Sequence, residues 1–221
     1  MTFTRALGQA AASGTATGYT LWLTGLPGAG KTTLARALTE ALLRRGLELE
    51  AFSSQHLPGW EGAPPELTAP PATNRWTPLA RRARALLIGG QCRRLMDRGV
   101  VCVVDGSWPS SLDREDVRLL LGELVEIHVC TPLEVCRLRA PQTYARADAG
   151  EWPTVPGVGL PYEPSSFPEV TIDFSTRRTG EGVNDVLELL ASLDYPTTSA
   201  RPATDDGEAR VRARLEALGY V

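Results

Sequence analysis

The chain has 221 residues, of which 22% are charged and 43% hydrophobic, enough apolar material for one domain with a substantial core. Its formal net charge of −3 argues against general nucleic-acid binding, which needs a basic face, and no apolar run approaches the roughly 18 residues that a membrane span requires. The four cysteines, Cys92, Cys102, Cys130 and Cys136, lack the spacing of a zinc site or a disulfide framework.

Residues 1–18 are rich in Ala, Gly and Thr without the continuous apolar centre of a signal peptide, and read as a flexible leader on a cytoplasmic protein. Leu21 to Leu23 form a β-prone run, followed by a glycine-rich loop and then by Leu34 to Gly46, whose apolar residues recur at helical spacing. Leu47 to Phe52 alternates, as an edge strand does. Ser53 to Pro78 holds six prolines, Pro58, Pro64, Pro65, Pro70, Pro71 and Pro78, which fits a long functional or irregular loop. An arginine-rich helix is expected from Leu79 to Arg98, weakened at Gly89-Gly90. Val100 to Asp105 is continuously apolar up to its final carboxylate, the pattern of a central parallel strand covered on both faces. Ser110 or Ser111 can cap the next helix, with Leu119 to Leu121 on its apolar side. Leu124 to Cys130 predicts a fourth strand and Thr131-Pro132 a short helix through Leu138. Ala140 to Pro168 is again rich in Gly and Pro, Val170 to Phe174 reads as a fifth strand, and Asn184 to Leu193 as a closing helix. Residues 194–206 read as a linker and 207–221 as a small C-terminal helix. The alternation predicts an α/β, three-layer fold, its mainly parallel five-stranded sheet flanked by helices across residues 19–193. Ligands in such sheets bind beyond the carboxyl ends of the strands.

The chemistry concentrates in Gly25-Leu26-Pro27-Gly28-Ala29-Gly30-Lys31-Thr32-Thr33, a G-x-x-x-x-G-K-T loop between a strand and a helix. Glycines let successive backbone N–H groups turn towards an anion, and the following helix points its positive end at the same place. In such loops the lysine reaches the β- and γ-phosphates and the adjacent hydroxyl binds magnesium, roles that fall here to Lys31 and Thr32. Lys31 is the only lysine in the chain, so a compact ammonium appears solely where the loop needs one. The predicted cofactors are ATP and Mg2+.

Three blocks carry a resemblance: Leu21 to Ala35, Thr131-Pro-Leu-Glu-Val-Cys136, and Pro161-Tyr-Glu-Pro164 followed by Phe167-Pro-Glu169. In this order and separation they make residues 18–193 similar to the adenylylsulfate (APS) kinase family of P-loop kinases. The resemblance implies a kinase fold and phosphoryl transfer from ATP, with a lid at about 140–168. It breaks on the acceptor side. The family's Asp-Gly-Asp after the second strand is replaced by about Ser53-Ser54-Gln55, and Arg84, Leu86 and Leu87 stand where its nucleotide-holding asparagine and arginines are expected. Val155 falls near its stacking phenylalanine.

Asp105, at the end of a central strand, becomes the preferred catalytic and metal-binding carboxylate. Arg137, Arg139 and Arg146 fall in or before the lid, where an arginine can stack on adenine or neutralise the transferring phosphoryl group, and Arg139 is the foremost of them. His56, Trp60, Arg81, Trp108, Arg146 and Trp152 are candidates for binding a small-molecule acceptor, through stacking or charge. The leading expectation is an O-kinase whose acceptor is a metabolite other than adenylylsulfate, such as an antibiotic, an aminocyclitol or aminoglycoside, or a nucleoside natural product. A genuine adenylylsulfate kinase and a nucleotide-binding regulatory module stand as alternatives, and assembly as a homodimer stays open.

Overall fold

Apolar residues on both faces of each central strand force those strands to the middle of a sandwich. Along β1 (Thr20–Gly25) Leu21 and Leu23 point to one face and Trp22 to the other, and all three are buried. The same alternation runs through β3 (Val101–Asp105), where Val101 and Val103 join one core and Cys102 and Val104 the opposite one. The structure, a computed structural model, describes residues 18–54, 77–199, 207–217 and 220.

Around these two strands β2 (Leu49–Ser53), β4 (Leu124–Val129) and β5 (Val170–Ile172) complete a five-stranded parallel sheet in the order β2-β3-β1-β4-β5. The alternating segment takes the edge, as its pattern predicts. One face is covered by α1 (Lys31–Arg44) and α6 (Thr179–Ser192), which bring Leu34, Leu38 and Leu42, and Val186 and Leu190, to the first core. The other face is covered by α2 (Pro78–Met96) and α3 (Ser111–Leu121), which contribute Ile88, Cys92, Val117 and Leu121. Two short helices, α4 (Leu133–Arg139) and α5 (Pro141–Asp148), follow β4, and α7 (Gly207–Ala217) packs against α1. The chain leaves β1 towards β2 and β3 on one side and later builds β4 and β5 on the other, so a crevice opens at the carboxyl end of β1.

Several boundaries differ from expectation for physical reasons. Helix α2 runs unbroken through Gly89-Gly90, because Gly89 lets α3 approach: a Cβ there would lie 3.1 Å from Leu120 Cδ2. Of Leu119 to Leu121 only Leu121 is buried, since successive helical residues turn by about 100° and three cannot share one face. Ser110, not Ser111, caps α3, accepting from the Asp113 N–H at 3.3 Å. Within the Gly/Pro-rich stretch, α5 starts with Pro141 in the first turn, where a missing N–H costs nothing, and buries Tyr144 and Ala147. Strand β5 ends at Ile172, and α6 begins five residues before the apolar periodicity starts at Asn184.

Candidate active site

Strand β1 delivers the chain to the glycine loop at the head of α1. Gly25 must be glycine, because a Cβ there would sit 2.3 Å from the Val129 carbonyl oxygen at a φ of +141°. Gly30 occupies the N-cap of α1 at φ 109°, so the N–H groups of Lys31, Thr32 and Thr33 open towards the loop. Two side chains brace the loop from outside: Thr131 Oγ1 donates to the Ala29 carbonyl at 2.8 Å, and Tyr144 Oη to the Pro27 carbonyl at 2.9 Å.

Lys31 is buried, and its Nζ donates to the Leu26 carbonyl at 2.7 Å. Burial pulls its pKa down, and the nearby Asp105 carboxylate pulls it back. Asp105 ends β3 only 5% exposed and accepts from Thr32 Oγ1 through Oδ2 at 2.5 Å. Burial raises the Asp105 pKa, opposed by the Lys31 charge and by the Thr32 hydrogen bond. The hydroxyl and carboxylate oxygens of Thr32 and Asp105 form a pair of hard donors beside the phosphate loop, the chemistry that magnesium takes. The residues therefore fit the ion, and Thr32 and Asp105 would hold it.

Two cavities meet at this point. The first, about 430 Å3, is lined by Ser53, Ser54, Arg81, Asp105, Trp108 and Trp152, among others. The second, about 400 Å3, is lined by Thr33, Arg139, Phe174, Arg177 and Thr179. Gly28, Lys31 and Thr32 line both. A molecule in each would face the other across Lys31 and Thr32, the arrangement that moves a group between them without water.

The structure sorts the remaining candidates. Arg139 lines the second cavity, its Nη2 held by the Phe174 carbonyl at 2.6 Å. Arg137, two residues earlier, stands clear of both cavities, pairing with Asp148 at 2.7 Å and covering the Tyr144 ring. Arg81, Trp108 and Trp152 line the first cavity, and Trp108 also packs on Trp22 with ring centroids 4.7 Å apart. Arg146 sits over the Trp152 ring at 4.8 Å, behind the wall that Trp152 forms. His56 and Trp60 lie outside the described residues.

Two residues went unnoticed in the sequence. Arg177 reaches the second cavity from the loop after β5 and pairs with Asp185 at 2.6 Å; the rule placing sites beyond strand ends could have found it. Asp113, on the first turn of α3, lines the first cavity beside Arg81, whose charge opposes the burial that raises the Asp113 pKa. Nothing in the local pattern separates it from an ordinary helix-start carboxylate. At the end of β2, Ser53 is the register partner of Asp105, and the Ser54 N–H bonds the Asp105 carbonyl at 2.7 Å. The carboxylate of this site thus stands one strand over from the position the resemblance implied.

A phosphate loop on a five-stranded parallel sheet, with paired cavities sharing its lysine, defines a P-loop kinase, an ATP-dependent phosphotransferase with an alcohol group as acceptor. The family model for adenylylsulphate kinase matches residues 17–173, and the chain belongs to that family. It is 35% identical over 176 residues to an adenylyl-sulfate kinase of Shewanella pealeana, covering 78% of this chain and 82% of that protein. It is also 35% identical over 184 residues to that of Gloeothece citriformis, covering 80% of this chain and 97% of the relative. Among solved structures, the Mycobacterium tuberculosis APS kinase CysC in complex with AMPPNP and APS superposes with a TM-score of 0.69 at 26% identity, over 80% of this chain and 99% of that one.

These relatives overturn the expectation of an acceptor other than adenylylsulfate. That expectation read the loss of Asp-Gly-Asp as the loss of the acceptor site, whereas the cavity keeps a carboxylate at Asp105 and a guanidinium at Arg81. Among the described residues no helix is long and apolar enough to cross a membrane.

Proposed function

We propose that the chain is an adenylylsulfate kinase that transfers the γ-phosphoryl group of ATP to a hydroxyl of adenylylsulfate. The observation that carries this reading is the meeting of two cavities at Gly28, Lys31 and Thr32, with Asp105 in the wall of the first, in a chain of this family. ATP occupies the cavity of Arg139, Phe174 and Arg177, its phosphates against the loop N–H groups and Lys31. Adenylylsulfate occupies the cavity of Arg81, Trp108 and Trp152, where the Arg81 guanidinium meets an anionic group and the indoles offer stacking faces.

When bound, magnesium supplies charge neutralisation between the phosphates. Asp105 has two tasks: with Thr32 it provides oxygens for the ion, and as a cavity-lining carboxylate it aligns the acceptor hydroxyl and takes its proton. Burial opposes the Lys31 charge and the facing Asp105 favours it, and the ammonium moves from the Leu26 carbonyl to the phosphoryl oxygens as they arrive. Trp152, Thr154 and Val155 wall the cavity and limit the access of water to the acceptor. Four thiols, all free, fit the reducing interior of a cell, and we place the protein in the cytoplasm. The test is steady-state ADP release with ATP and magnesium while adenylylsulfate is titrated. Saturable stimulation supports the reading, and ADP release indifferent to adenylylsulfate refutes it.

A further inference from the structure

We propose that Arg114 is a positioning residue for the phosphoryl acceptor, acting with Glu163 as a latch between the turn that walls the acceptor cavity and the returning segment of the lid. This inference rests on the adenylylsulfate kinase reading for its kinetic test but not for its structural one.

The turn after β3 is held in an unusual shape. Trp108 adopts φ 42°, in the left-handed region that a bulky residue rarely enters, and such conformations persist only where surrounding contacts over-determine them. Arg114, buried on α3, makes those contacts. Its Nη1 donates to the Trp108 carbonyl, its Nη2 to the Glu163 carbonyl at 2.5 Å, and its Nε pairs with Glu126 of β4 at 2.9 Å. One rigid guanidinium therefore joins the sheet, the acceptor wall and the 162–163 segment through three separate nitrogens at fixed spacing, which a lysine's single nitrogen does not offer.

Glu163 closes the latch from the opposite side. Its N–H donates to the Pro109 carbonyl at 3.0 Å, and its Oε2 accepts from Ser111 N and Oγ, both at 2.7 Å. Next to it, Tyr162 and Thr24 share a hydrogen bond of 2.9 Å, and Thr24 Oγ1 reaches the Ser107 carbonyl at 2.8 Å. Residues 107–111 and 162–163 thus move as one body. That body presents Ser107, Trp108 and Pro109 to the acceptor cavity, and it meets the start of the phosphate loop where the Gly25 N–H donates to the Ser107 carbonyl at 3.3 Å. Loosening it should be felt by the acceptor and not by ATP.

Two variants test this. Arg114→Met combined with Glu126→Leu removes both buried charges together, so that no carboxylate is left uncompensated at that site. Glu163→Ala removes an exposed carboxylate and leaves the buried pair intact. The expected result is a rise of about tenfold in the KM for adenylylsulfate for the double variant and about threefold for Glu163→Ala, with the KM for ATP within about twofold of wild type. Faster hydrogen exchange at residues 107–111 and 162–163 together, with the amides of Gly28 to Thr33 unchanged, should accompany it. Should the double variant fail to fold, Glu163→Ala decides by the same two readouts. An unchanged acceptor KM, or KM values for both substrates rising in step, overturns the proposal. If the wild type does not turn over adenylylsulfate at all, the functional reading fails. Exchange then decides the latch on its own: coupled acceleration of both segments supports it, and acceleration confined to α3 overturns it.

Discussion

Replacing Asp105 with Asn keeps the side chain's shape and deletes its charge at the point where the two cavities meet. The carboxylate is only 5% exposed and lies 2.5 Å from Thr32 Oγ1, so neither bulk water nor another described cavity-lining carboxylate on β3 can take over its position. A positioned general base contributes about 10²–10⁴ to the rate, equivalent to about 3–5 kcal/mol of transition-state stabilisation. Asn can still receive the Thr32 hydrogen bond but can neither accept the acceptor's proton nor balance Lys31. The predicted loss in kcat is therefore at least about a hundredfold, with the KM for ATP little changed. The assay is coupled ADP release between pH 5 and 9 at several magnesium concentrations. Because proton transfer to Asp105 needs its ionised form, wild-type kcat should fall on the acid side as the carboxylate is protonated. That limb should vanish in the variant. Recovery of the rate at high magnesium would reduce Asp105 to an ion ligand, and a kcat within threefold of wild type would refute both of its roles.

Lys31→Met should lower kcat at least about a hundredfold, and Lys31→Arg should not restore it, since the buried pocket at the Leu26 carbonyl is shaped for a compact ammonium; kcat measurements on both variants check this. Thr32→Val, which removes one oxygen of the ion pair site, should raise the magnesium concentration for half-maximal rate by at least about tenfold, read from a metal titration at saturating ATP. Arg139→Ala should raise the KM for ATP several-fold, whereas Arg137→Ala, which loses a half-exposed pair with Asp148 and a cover over the Tyr144 ring outside both cavities, should leave both KM values within about twofold. Equal effects of the two arginine variants would contradict the placement of the ATP cavity.

How far the site could be read in the sequence depended on how local each signal was. The phosphate loop was legible because its glycines, Lys31 and Thr32 act within nine residues, between a strand and a helix whose periodicities are themselves local. Asp105 was legible through a strand-end rule: a continuous apolar run closing on a carboxylate belongs in the middle of a parallel sheet, facing the ligand side. Arg139 stands ahead of Arg137 in the sequence reading, but nothing local compels that order: two residues on a helix differ by about 200° in direction, and the packing of α4 on α5 decides which one lines the second cavity. The acceptor wall was the least legible part. Its residues come from the ends of β2 and β3, from α2 and α3, and from residues 140–160, and Asp113 enters it only through the packing of α2 against α3. The same non-locality misled the reading of function. A motif lost after β2 looked like a lost activity, while the register sets the Asp105 carboxylate on the neighbouring strand, opposite Ser53.

The central claim is the transfer of phosphate to adenylylsulfate across Lys31 and Asp105. Incubating the wild-type chain with γ-labelled ATP, magnesium and adenylylsulfate, and following the label by chromatography and mass spectrometry, tests it most directly. Label should appear in a phosphorylated adenylylsulfate, one equivalent per ADP formed, and at least about a hundredfold more slowly with Asp105→Asn. Label released only as inorganic phosphate, or transfer undiminished in Asp105→Asn, would contradict it.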